Sequence, residues 1–118
     1  MGRRQRQRSR DALRAPEAEH VDADGNRLVL RGALSPGSRR AYAEALTGSP
    51  LSQEDAWQRA TELLLERLAV RWEVAGVSYE APAELLARYR MASTDERRAV
   101  REMLRVHVAE HFPELEAP

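Results

Sequence analysis

Near the C-terminal end of the chain, His107-Val108-Ala109-Glu110-His111 sets two imidazoles four residues apart with a carboxylate between them. On a helix, positions i and i+4 share a face, so the two rings can hold one zinc ion while the glutamate serves as general base toward a metal-bound water. The same helical wheel places His107 and His111 inside the arc drawn by Val100, Met103 and Leu104. Inward-packed imidazoles, hydrogen-bonded to a carbonyl or a buried carboxylate, are therefore the expected state. No metal or other cofactor is expected, and His107, Glu110 and His111 are the candidate set if there is one.

The order H-x-x-E-H resembles the inverted zinc metallopeptidases. That resemblance implies a further carboxylate ligand downstream, and only seven residues follow His111 here, Glu114 and Glu116 among them. Other chemistry is excluded more simply. The chain has no cysteine, which removes disulfides, thiolate nucleophiles and cysteine-based metal sites. Gly32, Gly37 and Gly48 are too far apart to wrap a phosphate, and Ser35, Ser38, Ser49, Ser52 and Ser93 all fall at expected turns or caps. Asp22-Ala23-Asp24-Gly25-Asn26 has carboxylates in a calcium-loop manner, but its glycine comes too early for an EF-hand, and a hairpin turn accounts for the same residues.

Basic residues are the remaining chemical feature. All 19 are arginine, a bias that a GC-rich coding sequence produces without any chemical need. Net charge is zero, yet residues 1–14 hold six arginines against Asp11, a balance of +5 that leaves −5 elsewhere. Arg3, Arg4, Arg6, Arg8, Arg10 and Arg14 could contact phosphates or an acidic protein surface. Arg98, Arg101 and Arg105 stand on the outer face of the last helix, where they form either a second anion contact or a solvated stripe balanced by Asp95 and Glu102.

The elements that must position these groups read as mainly helical. Residues 1–19 contain one large apolar residue, Leu13, and are expected to be a disordered basic arm. Residues 20–112 are expected to form a single helical domain, and 113–118 an acidic tail. A short β-hairpin or extended element is predicted around Asp22–Arg31, with Leu28 and Leu30 on one side. The first helix should start at Ser35-Pro36 and end near Gly48. A second, of about six turns, should run from Ser52 to Gly76 with Trp57, Thr61, Leu64, Leu68, Trp72 and Ala75 on one face. Ala56, Ala60, Leu63, Val70 and Val74 give it a second apolar stripe. A third helix opens at Pro82, and Ser93-Thr94-Asp95-Glu96 is a capping box for a fourth that ends at Phe112-Pro113.

The expected architecture is thus a small bundle of about four helices with an N-terminal hairpin. The expected function is non-catalytic: a protein-protein interaction module such as an adaptor, assembly chaperone or subunit of a larger complex. A protein partner or a homo-oligomer would cover Trp57, Leu63, Val70, Trp72 and Val74. The alternative is a small nucleic-acid-binding accessory protein that uses the basic arm together with Arg98, Arg101 and Arg105, and a metal-dependent hydrolase using the H-x-x-E-H segment is a third reading. No stretch approaches the ~18 apolar residues of a membrane span, and the expected location is cytoplasmic.

Overall fold

Two tight reversals, one at Asp22–Asn26 and one at Ala75-Gly76, build the halves of one antiparallel sheet. The computed structural model describes residues 16–47 and 53–115. Their elements run β1 (Glu17–Val21), β2 (Arg27–Arg31), α1 (Pro36–Thr47), α2 (Gln53–Leu68), β3 (Ala69–Val74), β4 (Val77–Tyr79), α3 (Pro82–Arg90) and α4 (Thr94–His111). The sheet order is β1-β2-β3-β4. The fold is therefore α+β, and the expected mainly helical bundle with a short hairpin is corrected.

The correction comes from the helix expected over residues 52–76. It ends at Leu68, and the chain passes directly into β3. Leu68 and Trp72 satisfy a helical step of four, but Val70, Trp72 and Val74 also alternate with Arg71 and Glu73, the period of a strand. Valine and tryptophan favour a pleated surface. Ala75-Gly76 then supplies the two consecutive positive φ angles, 52° and 78°, that a tight two-residue hairpin turn requires, so Val74 pairs with Val77. Gly76 is a turn residue rather than a helix cap.

The first hairpin is built by Asp22. Its side chain accepts from the backbone N–H groups of Asp24 and Asn26, both at 2.9 Å, while Gly25 takes a φ of 81°. The predicted short hairpin is half of a four-stranded sheet. β1 also takes in Glu17, Ala18 and Glu19, which the sequence reading assigns to the arm.

Elsewhere the local signals match the elements. The Ser35 hydroxyl accepts from Ser38 N at the start of α1, and Pro82 opens α3. At α4 the Ser93 side chain accepts from Glu96 N while the Glu96 carboxylate accepts from Ser93 N, each at 3.1 Å. Burial concentrates where the helices meet one face of the sheet: Leu28, Leu30 and Trp72 from the strands, Leu64, Leu65 and Leu68 from α2, Leu85 and Tyr89 from α3, and Val100, Leu104 and Val108 from α4. Among the described residues, no helix is long and apolar enough to cross a membrane.

Candidate functional site: the histidine cluster and the β1–α4 groove

Strand register decides which way His20 points. His20 pairs with Leu28, Leu28 with Trp72, and Trp72 with Tyr79. Directly opposed residues of an antiparallel sheet share a face. Since Leu28 and Trp72 face the helices, His20 does too, and it meets α4.

All three histidines of the chain come together there. His20 Nε2 lies 2.9 Å from His107 Nδ1, and His107 Nε2 lies 2.7 Å from the carbonyl oxygen of Arg31 on β2. A carbonyl only accepts, so His107 Nε2 carries a proton. In the neutral ring Nδ1 is then an acceptor, and the proton between the two rings belongs to His20 Nε2. The His111 ring sits 4.3 Å from that of His107, centroid to centroid, and the Phe112 ring closes the cluster at 6.0 Å from His107.

His107 is fully buried and His20 half-buried. Burial pushes both imidazoles below the ordinary histidine value. For His20 the Glu110 charge opposes burial and a charged His111 reinforces it. For His107 the Arg31 carbonyl also opposes burial, ahead of the repulsion from His111 and His20, and Glu110 adds a smaller opposing pull. Both rings are accordingly neutral at pH 7.

The H-x-x-E-H segment is divided by this arrangement. His107 faces the core, His111 is half-buried beside Gly32, and Glu110 is exposed. Among the described residues, no group of three or more histidine or acidic side chains is arranged to hold a metal ion. Sequence reasoning passed over His20. The alternation in Glu17-Ala18-Glu19-His20-Val21 was the available signal, since it sets Ala18 and His20 on the opposite side from the two glutamates.

Next to the cluster, an open groove of about 650 Å³ runs between β1, its turn and α4. His20 contributes to its wall, with Met103 and Val106 from α4 and five acidic residues, Glu19, Asp22, Asp24, Asp95 and Glu102, against Arg98. Val106 is 43% exposed and Val21 56%. Among the described residues, β1 is also one of the two edges of the sheet, β4 being the other. Pro16 and Asp22 bond to β2's side of the hairpin, so the alternation of an antiparallel ladder turns the N–H and C=O groups of Glu17, Glu19 and Val21 outward.

The expected interface residues are dispersed. Trp57, on α2, is 39% exposed, and Leu63 and Val70 are half-buried. Trp72 and Val74 lie on β3 at 1% exposure each, inside the chain's own core. The Arg88 guanidinium stands over the Trp72 ring at 5.4 Å, and the Trp72 indole N–H has no hydrogen-bond acceptor among the described residues. On α4, Arg98 lies 3.9 Å from Asp95, Arg105 pairs with Glu102 at 2.7 Å, and Arg101 is half-buried beside Tyr89. The arm arginines Arg3, Arg4, Arg6, Arg8 and Arg10 lie outside the described residues.

No family model, curated protein or solved structure matches the chain.

Proposed function

We propose that the protein is a non-catalytic interaction module whose docking face is the β1 edge with the adjoining α4 groove, and that its partner is an extended segment bearing arginine at alternate positions. The observation that carries this reading is the edge itself, which no strand covers among the described residues: outward backbone groups at Glu17, Glu19 and Val21 lie beside exposed Val21 and Val106. An added strand would gain main-chain hydrogen bonds along β1 and read its partner through alternate side chains. Glu17, Glu19 and Val21 share the face opposite His20, where β2 already sets Arg31 across from Glu17 and Arg27 3.5 Å from Glu19, and an arginine on an added strand would flank the glutamates from their other side. Of the groove's acidic residues, Glu19 is paired with Arg27, Asp95 with Arg98 and Glu102 with Arg105, and the surplus at Asp22 and Asp24 favours the same sign of partner.

The arginine stripe of α4 lends the nucleic-acid alternative less support than the β1 edge lends the docking reading. Arg98 and Arg105 each have a carboxylate three residues away on the same face, so a phosphate backbone laid along it would meet Asp95 and Glu102 as well.

A titration of the ¹⁵N-labelled protein with a short peptide alternating arginine and valine tests the proposal. Amide shifts confined to β1 and the Thr94–Val106 stretch of α4, weakened by added salt and by Val106→Lys, are expected. Absence of binding, shifts centred on β4 and Met91, or binding indifferent to Val106→Lys would reject it.

A further inference from the structure

We propose that the His20–His107 hydrogen bond is a proton-operated latch: it holds β1 against α4 while both rings are neutral and releases the strand when both become charged. The role of the latch in docking rests on the functional reading above; the latch itself does not.

β1 has few other attachments on its helix side. Of its five residues only Ala18 and His20 face α4, and alanine offers little reach, so the His20 ring is the main side-chain bridge from this edge strand to the helix. The bridge has a definite proton count. With both rings neutral, His20 Nε2–H donates to His107 Nδ1, and His107 Nε2–H donates to the Arg31 carbonyl. A first proton has a place to go, because His20 Nδ1 can take it and leave the inter-ring bond intact. A second has only the His107 Nδ1 lone pair, which is the acceptor of that bond. Taking it turns N–H against N–H and sets two cations against each other across 2.9 Å. Separation of β1 from α4 relieves both conflicts.

The surrounding charges set the bias. From α4, Glu110 favours the charged rings and His111 opposes them; from β2 the neighbouring group is the neutral Arg31 carbonyl; the Phe112 ring is apolar. Burial outweighs Glu110 at both rings, so the neutral latch is the state at pH 7, and acidification below the ordinary histidine range opens it. Because His20 also walls the groove, release would remove one side of the docking face. A charged His20 would in addition repel a partner rich in arginine.

The test follows the full chain by NMR from about pH 7.5 to about pH 5. The readouts are the Cε1–Hε1 signals of the three histidines, the exchange protection of β1 amides corrected for intrinsic rates, and affinity for the arginine–valine peptide. Expected are His20 titration below the ordinary histidine range, a fall of roughly tenfold or more in β1 protection, and parallel loss of peptide affinity. In His20→Gln an amide side chain can either donate to or accept from His107 Nδ1, so protection and affinity should stay level across the range. His111→Gln, which leaves the bonded pair in place, should keep the loss of protection but move it to higher pH, because the His111 charge that opposes protonation of the pair is gone. Constant β1 protection down to about pH 5 in the wild type, or the same loss in His20→Gln, overturns the latch. A peptide that binds at neither pH while β1 protection still falls would overturn the docking reading and leave the latch standing.

Discussion

Gly32→Ala should loosen the strand that carries His20 while leaving all three histidines in the sequence. A methyl group at this position would stand 2.8 Å from the Pro16 carbonyl oxygen and 3.0 Å from His111 Nδ1, well inside contact distance. The first obstacle is backbone and is itself bound, since Gly32 N donates to Pro16 O at 2.6 Å. Either that bond opens, at about 0.5–1.5 kcal/mol, or the His111 ring and the start of β1 shift, and overpacking of this kind costs about 1–3 kcal/mol. Alanine recovers about 0.4–1 kcal/mol by restricting the unfolded chain. The net loss should be about 1 kcal/mol and at most about 2.5 kcal/mol, read as a lower urea midpoint with little change in slope and as a drop of roughly 4–8 °C in Tm per kcal/mol. Protection should fall first at β1. A variant as stable as the parent would mean that Pro16, Gly32 and His111 are not packed as described.

Three further outcomes follow from the same geometry. Ala75 holds a φ of 52° without being glycine, so Ala75→Asn, a residue that tolerates this region and precedes Gly76 as turns of this type prefer, should raise stability by a few tenths to about 1 kcal/mol in urea unfolding. In single-tryptophan variants, Trp72 should emit at shorter wavelength and resist iodide, while Trp57, at 39% exposure, should be quenched; equal quenching would contradict the placement of Trp72 in the core. Stability should also decline with acidification. His20 and His107 are both held below their ordinary value, so the folded chain binds fewer protons than the unfolded one. Their contribution is complete above the unfolded value of about 6.5 and is lost as pH falls through the depressed folded values. A urea midpoint independent of pH between about 7.5 and 5 would refute it.

Turns and caps were legible in the sequence because each is written in a few adjacent residues. The Asp22–Asn26 reversal, the Ser35-Pro36 start and the Ser93–Glu96 box all depend on local hydrogen bonds that the residue types specify. β3 was not legible in the same way. Leu64, Leu68 and Trp72 extend a helical stripe, and only the overlapping alternation of Val70, Trp72 and Val74 with the turn after it marks a strand. What decides between them is partner strand β2, forty residues away in sequence, whose Leu28 and Val29 pair with Trp72 and Arg71.

The candidate site was half legible. The helical wheel turns His107 inward from α4 alone, but its partner His20 sits 87 positions earlier, and only strand register directs it to the same place. The interface residues read from a six-turn helix lost that premise once the helix ended at Leu68. Trp72 and Val74 are covered by the chain's own α+β core, whereas Trp57 stays exposed, as do Val21, Val77, Met91 and Val106.

The joint between β1 and α4 underlies both proposals, and histidine tautomers report on it directly. A long-range ¹H–¹⁵N spectrum at about pH 7.5 should show His107 protonated at Nε2 with an unprotonated, hydrogen-bonded Nδ1, and His20 protonated at Nε2. His107 protonated at Nδ1, or two rings with the averaged tautomers of exposed imidazoles, would contradict the account.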